Sequence, residues 1–235
     1  MRRAIRVTGW TMIWSGLFVL GFAGYQLLLT DLVNARSQAR AEAVLVEAFV
    51  DRRADLPDPT TVSVPTTVAG GVQPDPVVHH PEDATPEGVP LGTFRIPKLD
   101  LEEVLISGVT PESLKLGPGY MPWTALPGQP GNAVVSGHRT TYGRPFFRLD
   151  ELAPGDAIEV ETAIGVHTYT VRESLIVLPT DVWVTNPKRG AWLTLTTCNP
   201  RYSARERLIV FAEMTDGPNL EYARYLEEQE LQDLS

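Results

Sequence analysis

The chain contains a single cysteine, Cys198, and it closes the strand-like run "AWLTLTTC". After the segment "NPRYSARE" a second apolar run, "RLIVFAEM", opens with Arg207. The joining residues are rich in Asn, Pro and Ser, which suits a loop. If the two runs pair as an antiparallel hairpin, the thiol and the guanidinium stand at the same rim of a sheet. That pairing has chemical meaning. A thiolate attacking an amide carbonyl develops an oxyanion, and a permanently charged arginine with several donors is suited to hold it. Arg201 and Arg205 are rivals for the role, but both fall within the loop.

A thiol nucleophile also needs a group to move its proton, most often histidine. The chain has four. His79 and His80 stand beside Pro81 in a proline-rich stretch without spaced partner ligands, so they do not read as a metal site. His167 lies in "VHTYTV", whose alternation points to a solvated or cross-strand position on a strand. His138 ends "NAVVSGH", at a strand terminus beside a glycine that permits close approach, and is the candidate acid/base. Spacing alone does not bring His138 to Cys198; the fold must do that. A lone cysteine cannot form an internal disulfide, so Cys198 is either a buried small hydrophobe or a reactive thiol.

The elements that must position these groups lie in residues 91–216, where short runs that alternate or are solidly apolar are separated by Gly, Pro, Asp and Asn. Many short strands at such spacing predict an all-β sandwich or barrel. Residues 55–90 read as a Pro/Thr-rich linker. Residues 31–54 have helical apolar spacing and predict a juxtamembrane helix, either a solvated continuation of the segment before it or a dimerising seam. Residues 217–235 form an acidic tail with room for a short helix.

Residues 7–30 carry no charge and are long enough to span a bilayer as a helix. Arg2, Arg3 and Arg6 precede them, which places residues 1–6 in the cytoplasm and the rest of the chain outside. The apolar run exceeds a typical signal-peptide core, so an uncleaved single-pass anchor is the expectation. The formal net charge of −9 argues against nucleic acid as a partner.

Three motifs in order, "GNAVVSGHRTTYGRPFFRLDEL", "TLTTC" and the arginine of "RLIVFA", resemble the signature of sortases, the cysteine transpeptidases that attach proteins to Gram-positive cell walls. "LGTFRIPKLDLEEVLISGV" is similar to the first strands of that domain, and the resemblance covers residues 91–216. "HRTTYG" and "TTCNP" look most like class E sortases of high-GC actinobacteria.

The resemblance implies an eight-stranded β-barrel with short helices, here preceded by the transmembrane helix. It makes Cys198 the nucleophile, His138 the general acid/base and Arg207 the oxyanion stabiliser. Tyr142 is a candidate for reading the second signal position, or an aromatic that packs its loop. Thr197 is a candidate for positioning substrate, or a backbone support. The implied substrates are secreted proteins bearing a C-terminal LAxTG- or LPxTG-like signal, and the acceptor is a peptidoglycan precursor amine or a pilin lysine. Some sortases bind calcium, but the carboxylates near the site, such as Asp150, Glu151 and Asp156, form no dense oxygen cluster in sequence, so no metal or other cofactor is expected. Two other readings stay open at this level: a thiol hydrolase that passes the acyl group to water, and a non-catalytic anchored β-domain for adhesion or scaffolding.

Overall fold

The computed structural model describes residues 2–55 and 86–233, so His79, His80 and most of the expected linker lie outside the described residues. Eight strands form the body: β1 (Pro90–Ile96), β2 (Leu101–Ser107), β3 (Gly119–Tyr120), β4 (Gly131–Ser136), β5 (Ala157–Thr162), β6 (Gly165–Val177), β7 (Ala191–Asn199) and β8 (Glu206–Asp216). They close into a barrel in the order β1-β2-β3-β4-β7-β8-β6-β5. The helices are α1 (Arg2–Asp55), the single turn α2 (Pro111–Leu114) and α3 (Leu220–Asp233).

Period-2 patterning fixes what each strand sends inward. Leu193 and Leu195 of β7, Ala133 and Val135 of β4, and Leu208, Val210 and Ala212 of β8 join Phe94, Ile96, Phe146 and Tyr169 in the barrel core. The alternate residues Ile209 and Phe211 face outward, yet they are buried, because the segment between β6 and β7 lays Val184 over them. This is why β8 reads as a continuous apolar run rather than an alternating one: both of its faces are covered.

Two of the pairings are parallel, β2 with β3 and β4 with β7. The second matters most. It matches Ser136 to Thr196, so the residues following β4 arrive beside the end of β7. The barrel rim at that end collects the C-termini of β1, β4, β6 and β7 and the N-termini of β2, β5 and β8.

α1 is one continuous helix. Within residues 7–30 its described apolar side chains, among them Trp10, Trp14 and Phe18, are exposed. Among the described residues no helix is long and apolar enough to cross a membrane. The expected span also includes residues 23 and 26–30, whose side chains lie outside the described ones.

The part of α1 that follows does not stand off as a solvated rod. It docks on the barrel. Leu45 packs on Val104 and Ile106 of β2. β3 pairs with β2 only at Ile106 and Ser107, which leaves the β2 backbone at Val104 without a strand neighbour on that side. Gln38 takes the place of that neighbour: its Oε1 accepts from Val104 N at 2.6 Å and its Nε2 donates to Val104 O at 3.3 Å. A buried backbone pair left open would cost free energy, and a side-chain amide carries both complementary groups.

The acidic tail is also docked. Asn219 is buried and donates to Gly128 O at 2.9 Å, and Ala223 of α3 joins the core.

Candidate active site

Cys198 and Arg207 are register partners across the antiparallel β7–β8 pair. Parity fixes the face they share. Thr197 and Leu208, one step along, point into the barrel, so Cys198 and Arg207 point outward. On the other side of β7, the parallel register carries Ser136↔Thr196 forward, and Gly137 N donates to Thr196 O at 3.1 Å. His138 is therefore level with Cys198. The three groups form one row, imidazole, thiol, guanidinium, with His138 just past the end of β4 and the other two on β7 and β8, at roughly 4.8 Å between neighbouring backbones. The thiol is free and partly exposed.

His138 is half-buried, and its two nitrogens differ. Nδ1 lies 3.3 Å from the Thr141 hydroxyl, while Nε2 is buried without a hydrogen-bond partner and is the atom left to exchange a proton. Burial holds the imidazole pKa below its ordinary value, and the positive charge of Lys115 adds to the effect. A neutral imidazole is thus favoured near neutrality.

Tyr142 meets His138 in a tilted ring contact, centres 5.0 Å apart and planes at 44°, and Lys115 Nζ lies 6.0 Å from the Tyr142 ring centre. The backbone at Tyr142 takes a positive φ of 50°, flanked by Gly143 and Arg144 in the same region, which is what folds the ring back onto the histidine. Tyr142 is thereby brought to the site. Thr197 is not: it is 2% exposed, faces the interior, and donates to Gly137 O at 2.7 Å. Its hydroxyl holds the peptide just before His138 and has no access to a substrate lying on the outer face.

Arg207 Nη1 donates to Ala204 O at 3.1 Å and Glu206 O at 3.0 Å, which bends it over its own loop. The rival Arg201 turns away, pairing with Asp150 at 2.8 Å and donating to Phe147 O at 3.2 Å. The rival Arg205 is exposed in the loop.

One residue of the site escaped the sequence reading. Arg139, 4% exposed, donates from Nη1 to Cys198 O at 3.1 Å and to Asn199 Oδ1 at 2.6 Å, and pairs through Nη2 with Asp150 at 3.1 Å. Asn199 in turn donates to Glu206 at 2.9 Å. A buried guanidinium so placed clamps the end of β7, and with it Cys198, to the histidine loop. The signal available in sequence was a charge directly following the strand-end histidine.

His167 is buried rather than solvated, and its Nε2 meets the Thr162 hydroxyl across β5–β6 at 3.0 Å. Asp150, Glu151 and Asp156 are each engaged by a basic side chain: Arg139 and Arg201, Arg148, and Lys98 respectively. Among the described residues no group of three His, Cys, Asp or Glu is arranged to hold a metal ion.

Three kinds of likeness bear on this arrangement. Sortase SrtE1 of Streptomyces coelicolor is 28% identical over 230 residues, covering 91% of this chain and 58% of that protein. The chain thus spans little more than half the length of this relative. Sortase D of Bacillus subtilis is 27% identical over 191 residues, covering 80% of this chain and 86% of that protein. Among solved structures, sortase E of Streptomyces avermitilis is 36% identical and superposes with a TM-score of 0.52, over 56% of this chain and 91% of the other. The Sortase domain family model matches residues 94–215, which is more than half of the chain and takes in the barrel, the histidine loop and both ends of the β7–β8 hairpin. On that match the chain belongs to the sortase family, and its relatives place it on the class E side of that family.

Proposed function

We propose that this chain is a membrane-anchored cysteine transpeptidase that cleaves a C-terminal LAxTG- or LPxTG-like sorting signal between Thr and Gly and transfers the protein to a cell-wall amine. The observation that carries the reading is the row His138, Cys198, Arg207, the histidine just past the end of β4 and the other two on the adjoining β7 and β8, with the only thiol of the chain in the middle.

The chemistry follows from that order. His138 Nε2 takes the proton of the Cys198 thiol, and the sulfur attacks the Thr carbonyl carbon. An S–C bond forms while the carbonyl oxygen becomes an oxyanion, held by Arg207. Collapse breaks the Thr–Gly C–N bond, and the glycine nitrogen leaves with the proton from His138. The acyl group is now a thioester on Cys198. An incoming amine attacks it, gives a proton to His138, and expels the sulfur, which recovers that proton. Thr197 and Arg139 position the two reacting residues, and Tyr142, over the imidazole, borders the place where the signal's second position would lie.

Support for a peptide substrate comes from relatives. A structure of sortase E1 from Streptomyces coelicolor carries a tripeptide in the active site, and one of sortase C from Clostridium perfringens carries a C-terminal cell wall sorting motif. The anchor reading rests on residues 7–30, uncharged and, where their side chains are described, with the large apolar ones exposed, after three arginines. It places the barrel on the outer face of a Gram-positive membrane.

The test is to incubate the full chain, in detergent, with LAxTG and LPxTG peptides and an added amine, and to identify products by mass spectrometry beside Cys198→Ala. Amine-linked product dependent on Cys198 is expected. Cleavage indifferent to the amine would make the protein a thiol hydrolase, and no cleavage, with a thiol inert to alkylation, a binding module.

A further inference from the structure

α1 and the barrel fix which end of the molecule meets the membrane. Asp31 is the first charged residue after the apolar run, and its carboxylate pairs with Arg144 at 3.0 Å. One turn further on, Asn34 donates to Lys115 O at 3.2 Å and sits so close to Gly143 that a Cβ there would lie 2.2 Å from its Oδ1. Arg144 and Gly143 belong to the loop that carries His138 and Tyr142, and Lys115 is the cation beside those two rings. Gln38 then meets Val104, and Leu45 meets Val104 and Ile106.

The direction follows. β2 starts at the catalytic rim with Leu101 and runs away from it to Ser107. α1 therefore descends the barrel wall from the rim. Because it is one helix, residues 7–30 project beyond the rim on the opposite side. At about 1.5 Å per residue, the end of the apolar run lies within roughly one turn, ~6 Å, of the Asn34 contacts with the histidine loop.

Charge has the same polarity. The loop of residues 137–148 contains three arginines, each balanced by a carboxylate: Arg139 by Asp150, Arg144 by Asp31 and Arg148 by Glu151. α3, which follows the far end of β8, carries five carboxylates and one arginine. An anionic lipid surface repels the second and does not repel the first.

We infer that the catalytic rim of the barrel faces the lipid headgroups, with α3 directed away from the membrane. The inference rests on the anchor reading above. It narrows the substrates that fit. The Cys198 thiol works at headgroup level, so it suits a peptide and an amine that are themselves held at the membrane.

The exposed residues Tyr202, in the β7–β8 loop, and Trp123, whose neighbour Ala125 bonds Asn132 near the start of β4, mark the two ends. In a Cys198→Ser background no thiol remains. The full chain would carry a single cysteine at one of these positions, labelled with a donor dye, in phosphatidylglycerol-containing vesicles with acceptor-labelled headgroups. Transfer at least about twofold more efficient from position 202 than from 123 is expected. Equal or reversed efficiencies in protein that floats with the vesicles would overturn the orientation and leave the anchor standing. Protein that stays in the aqueous fraction would overturn the anchor reading, and the orientation with it.

Discussion

Cys198 and Arg207 face each other across the β7–β8 pair on the outer wall of the barrel. The pairing puts a permanent cation one strand away from the sulfur without any loop having to be ordered first. The two guanidinium bonds that hold Arg207 go to carbonyls at the rim, Ala204 of the loop and Glu206 at the start of β8, so the side chain does little for the core. Arg207→Ala should lower kcat/KM for peptide cleavage roughly 10²–10³-fold, the scale of losing one oxyanion donor. The melting temperature should stay near that of the parent. Arg207→Lys keeps the charge but not the planar fork and should fall between the two. A loss of activity accompanied by a large loss of stability would assign Arg207 to structure instead.

Lys115 gives the site a pH setting. Burial of His138 holds its pKa below the ordinary imidazole value, and the charge of Lys115 adds to that. In the proposed mechanism the free enzyme needs a neutral imidazole, so protonation of His138 sets the acidic limb of the kcat/KM profile. Lys115→Gln removes the positive charge, raises the His138 pKa, and should move that limb to higher pH. A full pH-rate profile for both proteins checks this. An unmoved limb would mean that another group governs it.

Arg139 joins the strand of Cys198 to the loop of His138 through Cys198 O, Asn199 Oδ1 and Asp150. Arg139→Met leaves buried acceptors without a donor, which costs about 1–3 kcal/mol. Asp150 keeps Arg201 as a partner, so the loss should stay below that of a fully orphaned charge. As a positioning residue it should lower kcat more than it raises KM, and Arg139→Lys should recover stability better than rate. Equal recovery of both would reduce Arg139 to a structural clamp.

Which of these residues could be read from sequence depended on the range of the contact. Cys198 and Arg207 belong to one hairpin, so connectivity alone brought them to one rim. His138 stood out by its strand-end position beside a glycine, but it reaches Cys198 through the parallel β4–β7 pairing, which no local pattern specifies, and only the family's motif order joined the two. The strands were legible because period-2 alternation survives wherever one face is wet; β8, covered on both faces, still showed as an apolar run. The docking of α1 was not legible, because Asn34 and Gln38 make it and polar residues on a helix read as solvated. Thr197 stood open between a substrate role and a backbone support, and the second is what it does: its hydroxyl satisfies a buried carbonyl. Nothing in the composition of residues 217–235 foretold that Asn219 and Ala223 are buried against the barrel.

Glu103 makes the stability of the barrel depend on pH. It holds an inward position of β2 as the register partner of Phe94, and its Oε2 is buried without a hydrogen-bond partner. Burial raises the carboxyl from 4.5 to about 7. In the unfolded chain the same group titrates near its ordinary value. Between the two values the folded state therefore holds a proton that the unfolded state has released. Stability falls across that window as pH rises and levels off above it. The loss is on the order of 3 kcal/mol, because a tenfold change in proton affinity corresponds to about 1.4 kcal/mol. Glu103→Gln keeps the shape and cannot ionise, so it should abolish this part of the slope and stabilise the protein most above pH ~7. Urea unfolding of both proteins at several values between pH ~4.5 and ~7.5 measures it. Parallel curves would show that the carboxylate ionises without cost and that the barrel admits water to it.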